Sequence, residues 1–326
     1  MLTEIRIDGF KSLQRVTVPL GLVNVFIGAN GSGKSNLLEA LGFLSAAAGG
    51  VLDDQALLRR GVRLGPRASY RSAFRKPEAP DKIQIRAVAD APDQGRVEHA
   101  VAISYGNGDS WTCLEDRFLF DEKGERRYHG GRIVSNQESI LRLRERPGEY
   151  QRMQTPEAVL LTTETLADYG IFAPTSPVLR GNETDMAQRE PVGLSGGRLA
   201  EAVKGLLKPR SKHFGSLRMD ELLELLDWVD QIAVVPASRE LVSASVPTLS
   251  EVIRFTDRWM ARGQSHLSAY TASEGALYVL FALVLALHPK APRLFAIENL
   301  DQNMHPRLAR ATVRLFCELM LKARPE

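Results

Sequence analysis

Eight consecutive residues, Gly28-Ala29-Asn30-Gly31-Ser32-Gly33-Lys34-Ser35, constrain this chain more than any other stretch. They match the pattern G-x-x-x-x-G-K-[ST], in which glycines let backbone N–H groups turn inward and cradle phosphate oxygens. The flanks agree. Leu22 to Ile27 is a continuous apolar run, the pattern of a strand buried on both faces. A helix over Ser35 to Ala48 follows, with Leu37, Leu38, Leu41 and Leu44 on one stripe and Gly49-Gly50 as the stop. Strand, turn and helix in this order aim the positive end of a helix dipole at an anion. Lys34 is then placed to reach the β- and γ-phosphates of a nucleotide, and the Ser35 hydroxyl to ligand Mg²⁺. Asn30, Gly31, Ser32, Gly33 and Asn36 complete the expected binding set, with ATP and Mg²⁺ as cofactors.

The bulk of the chain suits such a site. It has 326 residues, 44% of them hydrophobic, enough to bury the core of one large domain or of one domain with an insertion. A formal net charge of +3 neither demands nor excludes nucleic acid. Cys113 and Cys317 lie far apart and form no metal-spaced set, so a reducing, cytoplasmic setting is the simplest reading. The opening MLTEIRIDGF lacks the apolar core of a signal peptide. The most apolar run, Ala276 to Leu287, falls short of the roughly 20 residues a bilayer span needs. No membrane partner is expected.

Periodicity places strands at Leu2 to Ile7 and Val16 to Val18. Antiparallel strands are expected over Ile83–Ala87, Val97–Ser104 and Trp111–Phe120, with a turn at Gly106-Asn107-Gly108. Residues 121–192 are polar and weakly patterned. Helices are expected at Arg198–Leu207, Asp220–Val229, Ser273–Leu287 and Pro306–Lys322. Short strands are expected at Val234-Val235 and Val252–Phe255, and a buried one at Arg293–Ile297. The fold class is α/β. The first lobe covers 1–120, a mostly helical insertion 121–230, and the second lobe 231–326.

The stretch from Ile5 to Leu41 goes further. Gly9-Phe10-Lys11-Ser12, Asn24, and Gly28-Ala29-Asn30 before Gly-Ser-Gly-Lys-Ser resemble the opening of RecF, SMC and OLD-like ATPases. That resemblance implies a P-loop NTPase of the ABC-type head fold, with an antiparallel β subdomain. Such heads are half-sites, completed by a signature Ser-x-Gly from a second subunit. Tyr270-Thr271-Ala272-Ser273-Glu274-Gly275 is similar to the OLD-like version. Ser273 would reach the partner's γ-phosphate, and Gly275 would let the backbone approach. The plainer reading of Ser273 is an N-cap. Leu194-Ser195-Gly196-Gly197-Arg198 is closer to the best-known ABC signature, but it lies far upstream of the acidic strand and reads as a loop opening a helix.

Arg293 to Glu298 is an apolar strand ending in an acid, and the run Glu298 to Pro306 resembles the OLD-like pattern. The resemblance gives Glu298 the Mg²⁺ shell and Asp301 a loop that contacts the partner. Asn299 stands where the family has a second acid that polarises the attacking water. Two readings stay open. Positioning and electrostatics carry most of phosphoryl transfer, so an amide is tolerated. Alternatively hydrolysis is slow and the protein is a nucleotide-gated switch. His305 is expected to hold the strand-to-helix turn. The family's next strand ends in a switch histidine; the sequence stops at Glu326 before it, so it is either a piece of a longer protein, the favoured reading, or a protein without the switch.

Arg59, Arg63, Arg67, Arg71 and Arg75 recur every four residues, but Gly61, Gly65 and Pro66 argue against one continuous helix. They form a surface for DNA or RNA phosphates, a solvated loop, or a set of arginines paired with acids elsewhere, and the resemblance also lets one of them reach the nucleotide phosphate. His129, His213 and His266 have no ligand-spaced partners. The leading expectation is an ATPase head that forms a homodimer or higher oligomer on ATP. By resemblance it gates a separate nuclease or toxin in anti-phage defence. The alternatives are a binding module with negligible turnover and a RecF-like DNA-repair ATPase.

Overall fold

A computed structural model of the chain describes residues 1–74, 81–91, 95–105, 111–122, 125–129, 157–207, 219–243, 245–246 and 250–323. The expected turn at Gly106-Asn107-Gly108, with Arg75, Lys76 and His213, lies outside them. The chain divides into two compact units. One comprises Met1–Ile171 with Pro292–Ala296, the other Phe172–Ala291 with Ile297–Glu326.

The first unit is built on a six-stranded antiparallel sheet. Its strands are β1 (Leu2–Asp8), β2 (Val16–Pro19), β3 (Ile83–Ala91), β4 (Gly95–Tyr105), β5 (Trp111–Glu122) and β6 (Glu125–His129), in the order β2-β1-β3-β4-β5-β6. The period-2 alternation read from the sequence sets the register. Ile7 pairs with Ile85 and Ile85 with Val101, while Ile5 pairs with Ala87, so one apolar row runs across the sheet. Helix α1 (Lys34–Ala48) buries Leu37, Leu41, Phe43 and Leu44 in the same core. It ends where the glycine pair predicts. Val51 N–H donates to the Ala46 carbonyl at 3.2 Å and Gly50 N–H to that of Ala47 at 2.8 Å, a Schellman closure. Phe43 stands between Phe10, Tyr70 and Trp111, with ring centroids 5.1, 4.9 and 5.3 Å away. Short helix α2 (Asp54–Leu58) is capped by Asp53, whose side chain accepts from Ala56 N–H at 2.7 Å. Helix α3 (Glu157–Ala167) packs on α1.

Gly170–Phe172 (β7) pairs with Phe295–Ile297 (β11), and the boundary between the units runs through both strands. The second unit holds helices α4 (Ser176–Leu179), α5 (Leu199–Leu207), α6 (Met219–Leu225), α7 (Glu274–Leu287) and α8 (Pro306–Ala323). It also holds strands β8 (Val229–Pro236), β9 (Glu251–Asp257) and β10 (His266–Ser268), in the order β10-β9-β8. Every residue of α7 from Gly275 to Leu287 is buried, which is why its sequence is apolar on all faces. Among the described residues no helix is long and apolar enough to cross a membrane.

Three expectations need correction. The strand expected to be buried over Arg293–Ile297 runs only from Phe295 to Ile297 and is half-buried. The helix read over Asp220–Val229 stops at Leu225, and Val229 instead opens β8, paired with Asp257. The apolar run Leu22 to Ile27 is neither a strand nor buried; Leu22 is 62% exposed and Ile27 91%. Asn24 accepts from Gly21 N–H at 2.8 Å and donates back to the Gly21 carbonyl at 2.9 Å, folding the start of the run into a turn.

Candidate functional site

Gly33 caps α1 at φ 96°, a left-handed conformation that favours glycine. A Cβ there would also lie 2.9 Å from the Ser12 hydroxyl and 3.3 Å from Leu13. Lys34 is therefore the first helical residue, and the loop ahead of it, Gly28 to Ser32, is exposed. The Lys34 ammonium folds over that loop and donates to the carbonyls of Gly28 at 2.8 Å and Ala29 at 2.9 Å. No acid occupies the first turn of α1, so the positive end of its dipole is uncompensated. A cation and a helix N-terminus thus stand at one exposed loop, with Ser35 and Asn36 in the first turn. This is the electrostatic pattern of a phosphate site.

The Gly9-Phe10-Lys11-Ser12 motif braces this helix. Phe10 is fully buried against Phe43. The Ser12 hydroxyl accepts from Asn36 Nδ2 at 2.7 Å. Lys11 places its ammonium on Glu39 Oε2 and 4.9 Å from the Tyr70 ring centre. Glu39 is 2% exposed and meets a second cation, Arg63, whose Nε donates to Oε1 at 2.5 Å. Two cations on one carboxylate offset the cost of burying it. Sequence reading passed over Glu39, since its partners lie far away along the chain.

The arginine series divides accordingly. No continuous helix runs through it; α2 ends at Leu58, and Arg67–Tyr70 forms a single 3₁₀ turn. Arg60 donates to Ser45 Oγ at 2.6 Å and to the carbonyls of Ala56, Ser45 and Ala167 at 2.9, 3.1 and 3.0 Å. Arg67 pairs with Asp54 at 3.2 Å and stacks 5.0 Å from the Trp111 ring centre. The acid-paired reading thus holds for Arg63 and Arg67, although the Arg63 side chain stays 63% exposed.

In the second unit, Glu298 follows β11, and its N–H donates to the Phe172 carbonyl at 2.8 Å. Asn299 has φ 52°, and its carbonyl accepts from Gln302 N–H at 3.0 Å. Asn tolerates this left-handed region far better than Glu does. The backbone therefore favours a short side chain, Asn or Asp, over Glu at this position. Asp301 is exposed in the following turn, and His305 Nδ1 accepts from Arg307 N–H at 3.3 Å as α8 begins.

Ser273 is the N-cap of α7 and is exposed, yet its hydroxyl makes no capping hydrogen bond. Capping alone therefore does not explain the serine. Gly275 has a packing reason of its own. A Cβ there would lie 3.0 Å from Leu308 of α8 and 3.6 Å from the Asn303 carbonyl. The competing Leu194–Arg198 segment is accounted for internally. Asp185, 3% exposed, accepts from the N–H groups of Ser195 at 2.9 Å and Gly197 at 3.2 Å through Oδ2, and of Ala187 at 3.0 Å through Oδ1. A Cβ on Gly197 would come within 2.5 Å of Asp185. These glycines wrap the chain's own carboxylate. Beyond them Arg198 bridges Glu190 and Glu201, and Lys290 donates to Glu190 at 2.9 Å. The Lys290 hydrogen bond holds the Glu190 carboxyl below its ordinary value, while burial pushes His288 down.

Residues 23–146 match the family model described as "AAA domain, putative AbiEii toxin, Type IV TA system". The chain is 29% identical over 174 residues to the DNA replication and repair protein RecF of Streptomyces avermitilis, covering 51% of this chain and 45% of that one. It is 33% identical over 101 residues to RecF of Paenarthrobacter aurescens, covering 30% and 25%. The match to the Streptomyces protein thus spans less than half of that relative's length. A solved structure of the recombination mediator protein RecF with a bound nucleotide analogue aligns at TM-score 0.33 and 11% identity, covering 100% of this chain and 83% of that one. That likeness is too distant to fix any residue's position. The chain has a mixed α/β P-loop ATPase fold with an antiparallel sheet, and over part of its length it is similar in sequence to these proteins.

Proposed function

We propose that this chain is a nucleotide-binding head that binds ATP-Mg²⁺ and closes on a second copy of itself. One observation carries the reading: Lys34 and the acid-free N-terminus of α1 stand together at an exposed glycine loop. Backbone N–H groups of Asn30 to Lys34 hold the phosphates, and the Lys34 ammonium exchanges its loop carbonyls for the β- and γ-oxygens. Ser35 and Glu298 hold Mg²⁺, and Asn36 supports the first turn. Ser273 and Gly275 meet the γ-phosphate bound by the other copy, and Asp301 contacts that copy. ATP shifts the population toward the closed pair in proportion to its tighter binding there. Hydrolysis reopens it, slowly, because Asn299 orients water but cannot take its proton.

The head then gates a separate effector, a nuclease or toxin, in anti-phage defence. The OLD-like run from Glu298 to Pro306 and the toxin named in the matching family's description support that role. A second reading is a DNA-repair ATPase, favoured by the name the curated relatives carry. Salt-dependent duplex binding that weakens on Arg63→Ala would support it, and no duplex binding at low salt would exclude it.

Sedimentation of the chain with and without ATP-Mg²⁺ tests the paired head. ATP is expected to drive dimerisation of the wild type and of Ser195→Ala, but not of Ser273→Ala. Equal behaviour of the two serine variants would count against the assignment of Ser273.

A further inference from the structure

Within the second unit, the segment after Glu298 and the segment around Ser273 are joined by polar contacts that bind no nucleotide. Asn303 Nδ2 donates to the Ser176 hydroxyl at 3.0 Å and to the Tyr278 hydroxyl at 3.4 Å. Ser176 is the first residue of α4, and Arg180 is its C-cap, with its N–H on the Ser176 carbonyl at 3.0 Å. The Arg180 guanidinium donates to the Tyr270 carbonyl and faces the Glu274 carboxylate at 3.6 Å. It thus grips Tyr270–Glu274 on both sides of Ser273. The Arg180 side chain itself is 19% exposed, while the Tyr270 and Glu274 groups it meets lie at the surface. Val178 and Leu179 are buried, which anchors α4 between the two segments.

We propose that Arg180 is a positioning residue for Ser273, and that α4 couples the segment after Glu298 to it. This rests on the paired-head reading, in which Ser273 serves the other copy's nucleotide while Glu298 serves this copy's own. A shift of Asn303 on binding ATP-Mg²⁺ is carried through Ser176 and Arg180 to the carbonyl three residues before Ser273. The chain's own nucleotide thereby sets how well it completes its partner's site. A fork-shaped guanidinium suits the task, because it engages a carbonyl and a carboxylate together. Double substitution measures the coupling.

The test is amide hydrogen exchange across residues 271–276 in the nucleotide-free chain, followed by ATP-driven dimerisation. Arg180→Gln is expected to speed exchange there by about tenfold or more with the global unfolding midpoint unchanged. Arg180→Lys, which keeps a donor for the Tyr270 carbonyl, recovers part of the protection. Ser176→Ala also speeds exchange, and the double variant does no more than Arg180→Gln alone. Arg180→Gln leaves the ATP affinity within about twofold and weakens dimerisation about tenfold. Unchanged protection in Arg180→Gln, or effects of the two substitutions that multiply, overturns the proposal. A wild type that binds ATP but never dimerises overturns the paired-head reading, and the proposal with it, whatever the exchange shows.

Discussion

Asn36, in the first turn of α1, donates through Nδ2 to the Ser12 hydroxyl at 2.7 Å, so the turn after β1 and the head of the phosphate-loop helix form one hydrogen-bonded unit. Gly33 sits against the same hydroxyl, where a Cβ would come within 2.9 Å. Gly33→Ala adds that contact to a left-handed φ of 96°. It is expected to cost about 1–3 kcal/mol in chemical denaturation. ATP binding is expected to fall further than stability does, because the loop N–H groups lose their direction. Ser12→Ala should cost less than Gly33→Ala on both measures.

Glu39 is the buried charge on which the base of α1 depends. Removing it leaves Lys11, 18% exposed, beside the Tyr70 ring without its anion. Glu39→Ala is expected to destabilise the chain by about 3 kcal/mol or more. Arg63→Ala removes a partner that is 63% exposed, and its loss is expected to be about 1 kcal/mol or less. Denaturant midpoints of the two variants give the comparison; equal losses would contradict the account.

Asn299 is where backbone and chemistry can be separated. Its φ of 52° suits Asn, Asp and Gly and disfavours Glu. Asn299→Asp restores a carboxylate without forcing the backbone. Steady-state turnover is expected to rise at least about tenfold, as a positioned base allows. Asn299→Gly is expected to keep stability and to lower turnover. No gain with Asp would mean that the amide already serves, and that hydrolysis is limited elsewhere.

The His288 imidazole is held below 6.5, first by burial and then by the Lys290 charge, against the opposing pull of Glu190. Folding therefore favours its neutral form. The unfolded chain binds more protons below pH 6.5, so the stability is full above that value and falls as pH drops toward the lowered folded value. The carboxyls of Glu190 and Glu201, both held below 4.5, lose their contribution only in more acid solution. His288→Gln is expected to flatten the unfolding midpoint as pH falls below 6.5 and to leave the more acid limb intact.

The sequence reads well where a signal is local. Strands β1, β3 and β4 show in the alternation of Ile5, Ile7, Ile83, Ile85 and Val101, and α1 in its leucine stripe and glycine stop. Contacts between distant residues leave no local trace. Nothing near Lys11 points to Glu39, nor near Ser12 to Asn36. The run from Leu22 to Ile27 misleads because apolar content reports a tendency to be buried and does not by itself place a segment in the core. Leu194–Arg198 looks like a ligand loop for a related reason. Backbone N–H groups of a glycine-rich turn gather on the Asp185 carboxylate much as they would on a phosphate. Asn299 was legible as a departure from a pattern, but its left-handed backbone was not.

The most direct test is equilibrium binding of ATP-Mg²⁺ to the purified chain by calorimetry, wild type against Lys34→Ala. The account predicts one nucleotide per chain with a Kd of about 1 μM to 1 mM, and at least about a tenfold loss on removing the Lys34 ammonium. No heat of binding in the wild type, or equal affinity in the variant, would contradict it.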